Sequence, residues 1–107
     1  MATRGKRSKE TKAVKFSRYD SADYLKSEKD MALYLEACME EAGDDAGYIA
    51  EAIGTIARAH GMTQLAKDLA LTREGLYKSL SKKGKPSFET ILKVIHALGL
   101  RLTVQAA

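Results

Sequence analysis

Between Arg73 and Lys78 the chain carries an arginine, a glutamate, a tyrosine and a lysine at positions i, i+1, i+4 and i+5, a spacing that gathers them on one side of a short helix. The set suits the reading of base edges. Arg73 can donate twice to guanine O6 and N7, and Glu74 can accept from cytosine N4 or fix Arg73. Lys78 reaches guanine or a phosphate, and Tyr77 offers a hydroxyl and a face for a thymine methyl. Thr63, Gln64 and Thr72 stand at expected helix starts, where backbone N–H groups and polar side chains hold phosphates. Lys82, Lys83 and Lys85 concentrate positive charge in residues 81–87, a loop marked by Gly84 and Pro86, and can clamp a phosphate backbone. All of this chemistry is non-covalent. Two histidines, the single cysteine Cys38 and no paired carboxylates argue against an enzyme, exclude a Cys-rich metal site and call for no cofactor.

Holding such a set in place takes a rigid helix pair. Thr63 is expected to cap a short helix reaching about Leu69, with Leu65 and Leu69 inward and Ala66 small where two helices cross closely. Ala70-Leu71 forms the turn, and Leu71 is expected to plug it. Thr72 caps the second helix, whose Leu76 and Leu80 face the core while Arg73, Glu74, Tyr77 and Lys78 face out. That is the pattern of a helix-turn-helix whose second helix enters a major groove. The plainer alternative is a helical hairpin with a solvated polar face.

The remaining chain supplies a scaffold. Residues 1–13 read as a disordered basic tail, either a solubilising terminus or an arm lying on DNA. Val14 to Ser17 alternates like a very short strand, and Asp20-Ser21-Ala22 looks like a helix start. Ser27 is a cap with Asp30 three residues on, and from Glu28 to Ala42 one face carries Met31, Leu35, Cys38, Met39 and Ala42. Cys38 is read as a core residue. Gly43-Asp44-Asp45 breaks that helix. A second runs from Gly47 to Ala59 on Ile49, Ile53 and Ile56, ending at Gly61 as a left-handed residue. Ser87 caps a last helix with Phe88, Ile91, Leu92, Ile95 and Leu98 on one face, and Gly99 closes it. Leu100 to Val104 alternates as a half-buried strand, which must pair with residues 14–17 or with a second copy of itself. The expected organisation is a tail (1–13) and one helical domain (14–107). The latter divides into an extension (14–43), a helix-turn-helix core (44–99) and a strand (100–104).

Charge is unevenly spread beneath the overall +4. Residues 1–19 carry seven bases and one acid, residues 20–61 three bases and ten acids, and residues 62–107 eight bases and three acids. Two cationic ends therefore flank an anionic middle, which either faces something basic or is a solvated surface. No apolar run approaches a membrane span, and one cysteine without a secretory segment points to the cytoplasm.

Two families share these motifs. Ala66-Lys67-Asp68-Leu69, a turn, and a helix ending in Lys78 followed by a small and an aliphatic residue resemble the Cro-like repressors. More closely, from about Phe16 to Leu102, the chain resembles the HigA-like addiction-module antidote family. The matching phrases are YLKSEKDMALYLEACMEE, YIAEAIGTIARAHGMTQLAKD and LTREGLYKSLSKKGKPSFETILKVIHALGLRL. The resemblance implies an antitoxin that binds operator DNA, neutralises a small toxin of the RelE/ParE superfamily, and represses the operon the two share. It carries over Thr72, Arg73, Glu74, Tyr77 and Lys78. One departure from the broader pattern is that Thr63-Gln64 runs at once into Leu65-Ala66, two residues early, which leaves Met62, Thr63 and Gln64 as alternatives for the phosphate contact. The expected fold is all-α, about five helices in the lambda-repressor-like class, with a short terminal strand. The expected partners are double-stranded operator DNA, a toxin, and a second copy in a homodimer matched to a palindromic site. Acidic residues 20–61, with Glu36, Glu40 and Glu41, form the expected toxin-facing surface. The rival readings are a stand-alone Cro-like repressor and a structural helical adaptor with no DNA affinity.

Overall fold

The computed structural model describes residues 25–107, which form five helices. These are α1 (Glu28–Ala42), α2 (Ala46–His60), α3 (Met62–Asp68), α4 (Arg73–Ser79) and α5 (Phe88–Ala97). The start of α1 is a reciprocal cap. Ser27 Oγ accepts from the Asp30 N–H at 3.1 Å, and Asp30 accepts in return from the N–H of Lys26, one residue before the cap, at 3.3 Å. Asp45 caps α2 through the Tyr48 N–H, and Ser87 caps α5 through the Thr90 N–H. The expected helix start at Asp20-Ser21-Ala22, the strand at 14–17 and the basic tail lie outside the described residues.

The central element is α2. Its alanine-rich sequence packs closely on several sides, and Ala50, Ala52, Ile53, Gly54, Thr55, Ile56 and Ala57 are all buried. Thr55 is the polar member of that set. Its hydroxyl donates to the Glu51 carbonyl and accepts from Arg58 Nη2, both at 3.2 Å, so burial leaves it satisfied. A Cβ on Gly54 would stand 2.5 Å from the Leu80 carbonyl oxygen. The end of α4 therefore rests on bare α2 backbone. One apolar cluster joins all five helices, with Met31, Leu35 and Cys38 from α1, Leu65 and Ala66 from α3, Leu76 from α4, and Val94 and Ile95 from α5.

Several expectations change. Met39 is 43% exposed, because α1 buries only the narrow stripe Met31, Leu35, Cys38 against its neighbours. Phe88 is 67% exposed, since the first residue after the Ser87 cap projects off the end of the helix, beyond the core. The buried side of α5 centres instead on Val94, Ile95 and Leu98. Gly61 takes φ +122 and ψ +105, positive but outside the left-handed helical region. It donates to the Ala57 carbonyl and accepts from the Leu65 N–H, so one glycine closes α2 and opens α3. Because α3 starts at Met62, Thr63 lies inside it and caps nothing.

The strand expected at Leu100–Val104 is absent: the five helices are the only regular elements among the described residues. Alternation marks which side chains would share a face, but a strand exists only as half of a ladder. No described residue supplies the other half. Leu100 donates back to the Ile95 carbonyl and packs on the core, while Val104 is 96% exposed.

The α1–α2 seam carries two groups whose ionisation is opposed. Tyr48 Oη donates to Glu41 Oε1 at 3.0 Å. Burial and that donated bond push the Tyr48 phenol well above its ordinary value, and burial pushes the neighbouring Cys38 thiol up as well. The fold thus prefers the neutral form of both. Their contribution is complete below the ordinary thiol and phenol values and is lost as pH rises past about 9 to 10. Urea midpoints are expected to fall between pH 8 and pH 11, and to fall less in Tyr48→Phe. An equal fall in both proteins would place the alkaline sensitivity elsewhere.

Candidate functional site

The α3–α4 pair is set by one turn. The Leu71 N–H donates to the Ala66 carbonyl at 2.9 Å and the Ala70 N–H to the Lys67 carbonyl at 3.1 Å, the two-bond closure that ends many helices. Its left-handed position is filled by Ala70, at φ +57, where glycine is the usual choice. The reversal at Ala70 turns Leu71 outward to 43% exposure, so backbone bonds hold the turn and Leu71 does not plug it. Leu69, partly buried, packs on the core beside it. Thr72 caps α4 as expected, its Oγ1 accepting from the Gly75 N–H at 2.9 Å. Leu76 and Leu80 are buried, and Arg73, Glu74, Tyr77 and Lys78 are exposed.

Within that exposed set the structure makes its own pairings. The Arg73 guanidinium carbon stands 5.2 Å from the Tyr77 ring centroid, and Arg73 Nη2 reaches Tyr77 Oη at 3.5 Å. Tyr77, one turn on, thus braces the arginine in the role the sequence left open to Glu74. A guanidinium held over a ring keeps its fork of donors oriented at a lower entropic cost than a free one. Gln64 Nε2 donates to Asp68 Oδ1 at 2.9 Å along α3, which fixes the amide there.

The loop after α4 folds back on the helix. Lys78 and Lys83 both line a hollow whose floor includes Gly75, Ser79, Ser81 and Gly84. Ser81 Oγ donates to the Lys78 carbonyl at 2.8 Å and the Gly84 N–H to the Ser81 carbonyl at 3.1 Å. A side chain on Gly84 would collide with the carbonyl oxygens of Lys78 and Ser79, so only glycine lets the loop lie this close. Two lysines lining one hollow make it a locus suited to an anion. Lys82 goes elsewhere: its backbone and stem lie against Gly47 at the start of α2. Lys85 is exposed at φ +48. The structure therefore brings together Arg73 with Tyr77 and Lys78 with Lys83. It does not join Thr63, Gln64 or Lys82 to them. Sequence reasoning missed Asp68, Ser81 and Gly75. The i, i+4 spacing of Gln64 and Asp68 and the serine three residues after Lys78 were the available signals.

Among the described residues no helix is long and apolar enough to cross a membrane. Residues 15–106 match the family model described as "probable addiction module antidote protein". A relative in Haemophilus influenzae, described as an uncharacterized protein, is 46% identical over 87 residues, covering 81% of this chain and 88% of its own. No solved structure matches.

Proposed function

The chain belongs to the family of probable addiction module antidote proteins, and from that premise we propose that it is an antitoxin that binds the operator DNA of its own module and represses it. Membership implies a toxin as partner and a regulator that acts by binding. The toxin class proposed is the RelE/ParE superfamily, on the resemblance stated above, and the compartment is the cytoplasm. The observation that carries the DNA reading is the exposed face of α4. A braced Arg73–Tyr77 pair lies beside Lys78, which shares an anion-suited hollow with Lys83. In this reading α3 and α4 are a helix-turn-helix. Arg73, Glu74 and Tyr77 read bases, Lys78 reaches guanine or a phosphate, and Lys83 and Lys85 hold phosphates. A homodimer sets two such helices on half-sites about 34 Å apart.

The toxin is met by the acidic side of the molecule. On α1 five carboxylates (Glu28, Asp30, Glu36, Glu40, Glu41) stand against one lysine, Lys29. Footprinting on the module's own promoter, with and without the protein encoded beside it, tests both activities. Protection of a palindromic site together with rescue of growth on co-expression with that neighbour is the expected result. Protection without rescue would leave a stand-alone Cro-like repressor. Rescue without protection would remove the DNA reading.

A further inference from the structure

Beside the stripe that α1 buries, at the margin of Leu35, Met39 is left exposed. Leu35 and Met39 on this side of α1 face Leu102 of the carboxy-terminal segment across an open groove, with Glu36 and Glu40 along its α1 edge and Arg101 on the opposite edge. Glu41, by contrast, is turned to the α1–α2 seam, bonded to Tyr48. Residues 101–107 make no backbone hydrogen bond with any described residue, and all are exposed. An apolar trough beside a free backbone edge, with two carboxylates on its rim, has a defined complement. That complement is an extended segment whose N–H and C=O groups pair with the edge, whose alternate side chains are apolar, and whose remaining ones are basic.

We infer that this groove is where the antidote grips its toxin, taking a basic, alternately apolar strand of the toxin along residues 101–105, with apolar side chains against Met39 and Leu102 and cations on Glu36 and Glu40. This rests on the antidote reading and narrows it to one edge of the acidic side. Charge chooses the occupant. Arg101 answers at most one of the two carboxylates, and α1 as a whole keeps its acidic excess. A second copy presenting the same face would set Glu36 and Glu40 against their own counterparts, whereas a cationic strand neutralises them.

The test measures affinity between the full chain and the toxin encoded in its module by biolayer interferometry. The native protein is compared with E36K/E40K, L102D and, at an exposed acid of α5 away from the acidic side, E89K, and thermal midpoints and sedimentation are recorded for each. E36K/E40K and L102D are each expected to weaken binding by about thirtyfold or more, the effect of losing a hot spot, and E89K by less than about threefold, as for a residue with no hot-spot contact. A native chain that binds no toxin sinks the antidote reading and this one together. Native binding that the groove variants leave intact sinks this one alone. In that case, loss of a dimer in the same variants would assign the groove to a second copy. A lower midpoint seen only while residues 1–24 are present would assign it to the chain's own amino-terminal end.

Discussion

Leu76→Ala is expected to lower the unfolding free energy by about 2–5 kcal/mol, the range for truncating a fully buried leucine. Leu76 has no exposed surface, and it is the buried residue of the seven-residue α4. So short a helix has no independent stability, because nucleation costs more than two turns of hydrogen bonds return. Its place depends on Leu76 within it and Leu80 at its end, and Leu80 itself rests on Gly54. A domain of this size holds only about 5–15 kcal/mol in total, so the variant should show a large drop in urea midpoint with little change in slope. Tyr77→Ala, one residue along on the exposed face, should stay within about 1 kcal/mol, near the ±0.5 typical of surface positions. Comparable losses from the two would mean that α4 is not anchored from its inner side.

Arg73→Ala is expected to cost about 1–3 kcal/mol at the operator, between about fivefold and 150-fold in affinity, and to relax base preference at one position. The bracing by Tyr77 adds a second expectation. Tyr77→Ala leaves the guanidinium in place but frees it, so specific binding should fall while the salt dependence stays close to native. Lys83→Ala should behave in the opposite way, weakening all sequences alike and reducing the salt slope by about one. Gel-shift titrations on operator and scrambled duplexes across a salt series separate these outcomes. Equal loss of specific and nonspecific affinity in Arg73→Ala would contradict base reading.

Much of the architecture can be read from local signals. Ser27, Asp45, Thr72 and Ser87 each cap a helix, because a side-chain oxygen beside free N–H groups is a short-range event that needs no tertiary partner. The α1 limits Glu28–Ala42 and the closure of α5 at Gly99 follow from the same kind of chemistry. The exposure of Arg73, Glu74, Tyr77 and Lys78 follows from the i, i+4 burial of Leu76 and Leu80.

What the sequence by itself determined about this protein is therefore its helices, their caps and the polar face of α4, all set by residues within a turn or two of each other. Tertiary structure decided the rest. It left Met39 and Phe88 outside the core, since a helix can bury only as much of its apolar stripe as its neighbours cover. It withheld a strand from residues 100–104, since alternation needs a ladder partner distant in sequence. It brought Lys78 and Lys83 to one hollow and sent Lys82 toward α2. Those pairings depend on how closely a loop can lie on a helix, which Gly84 and Gly47 permit but spacing alone does not disclose.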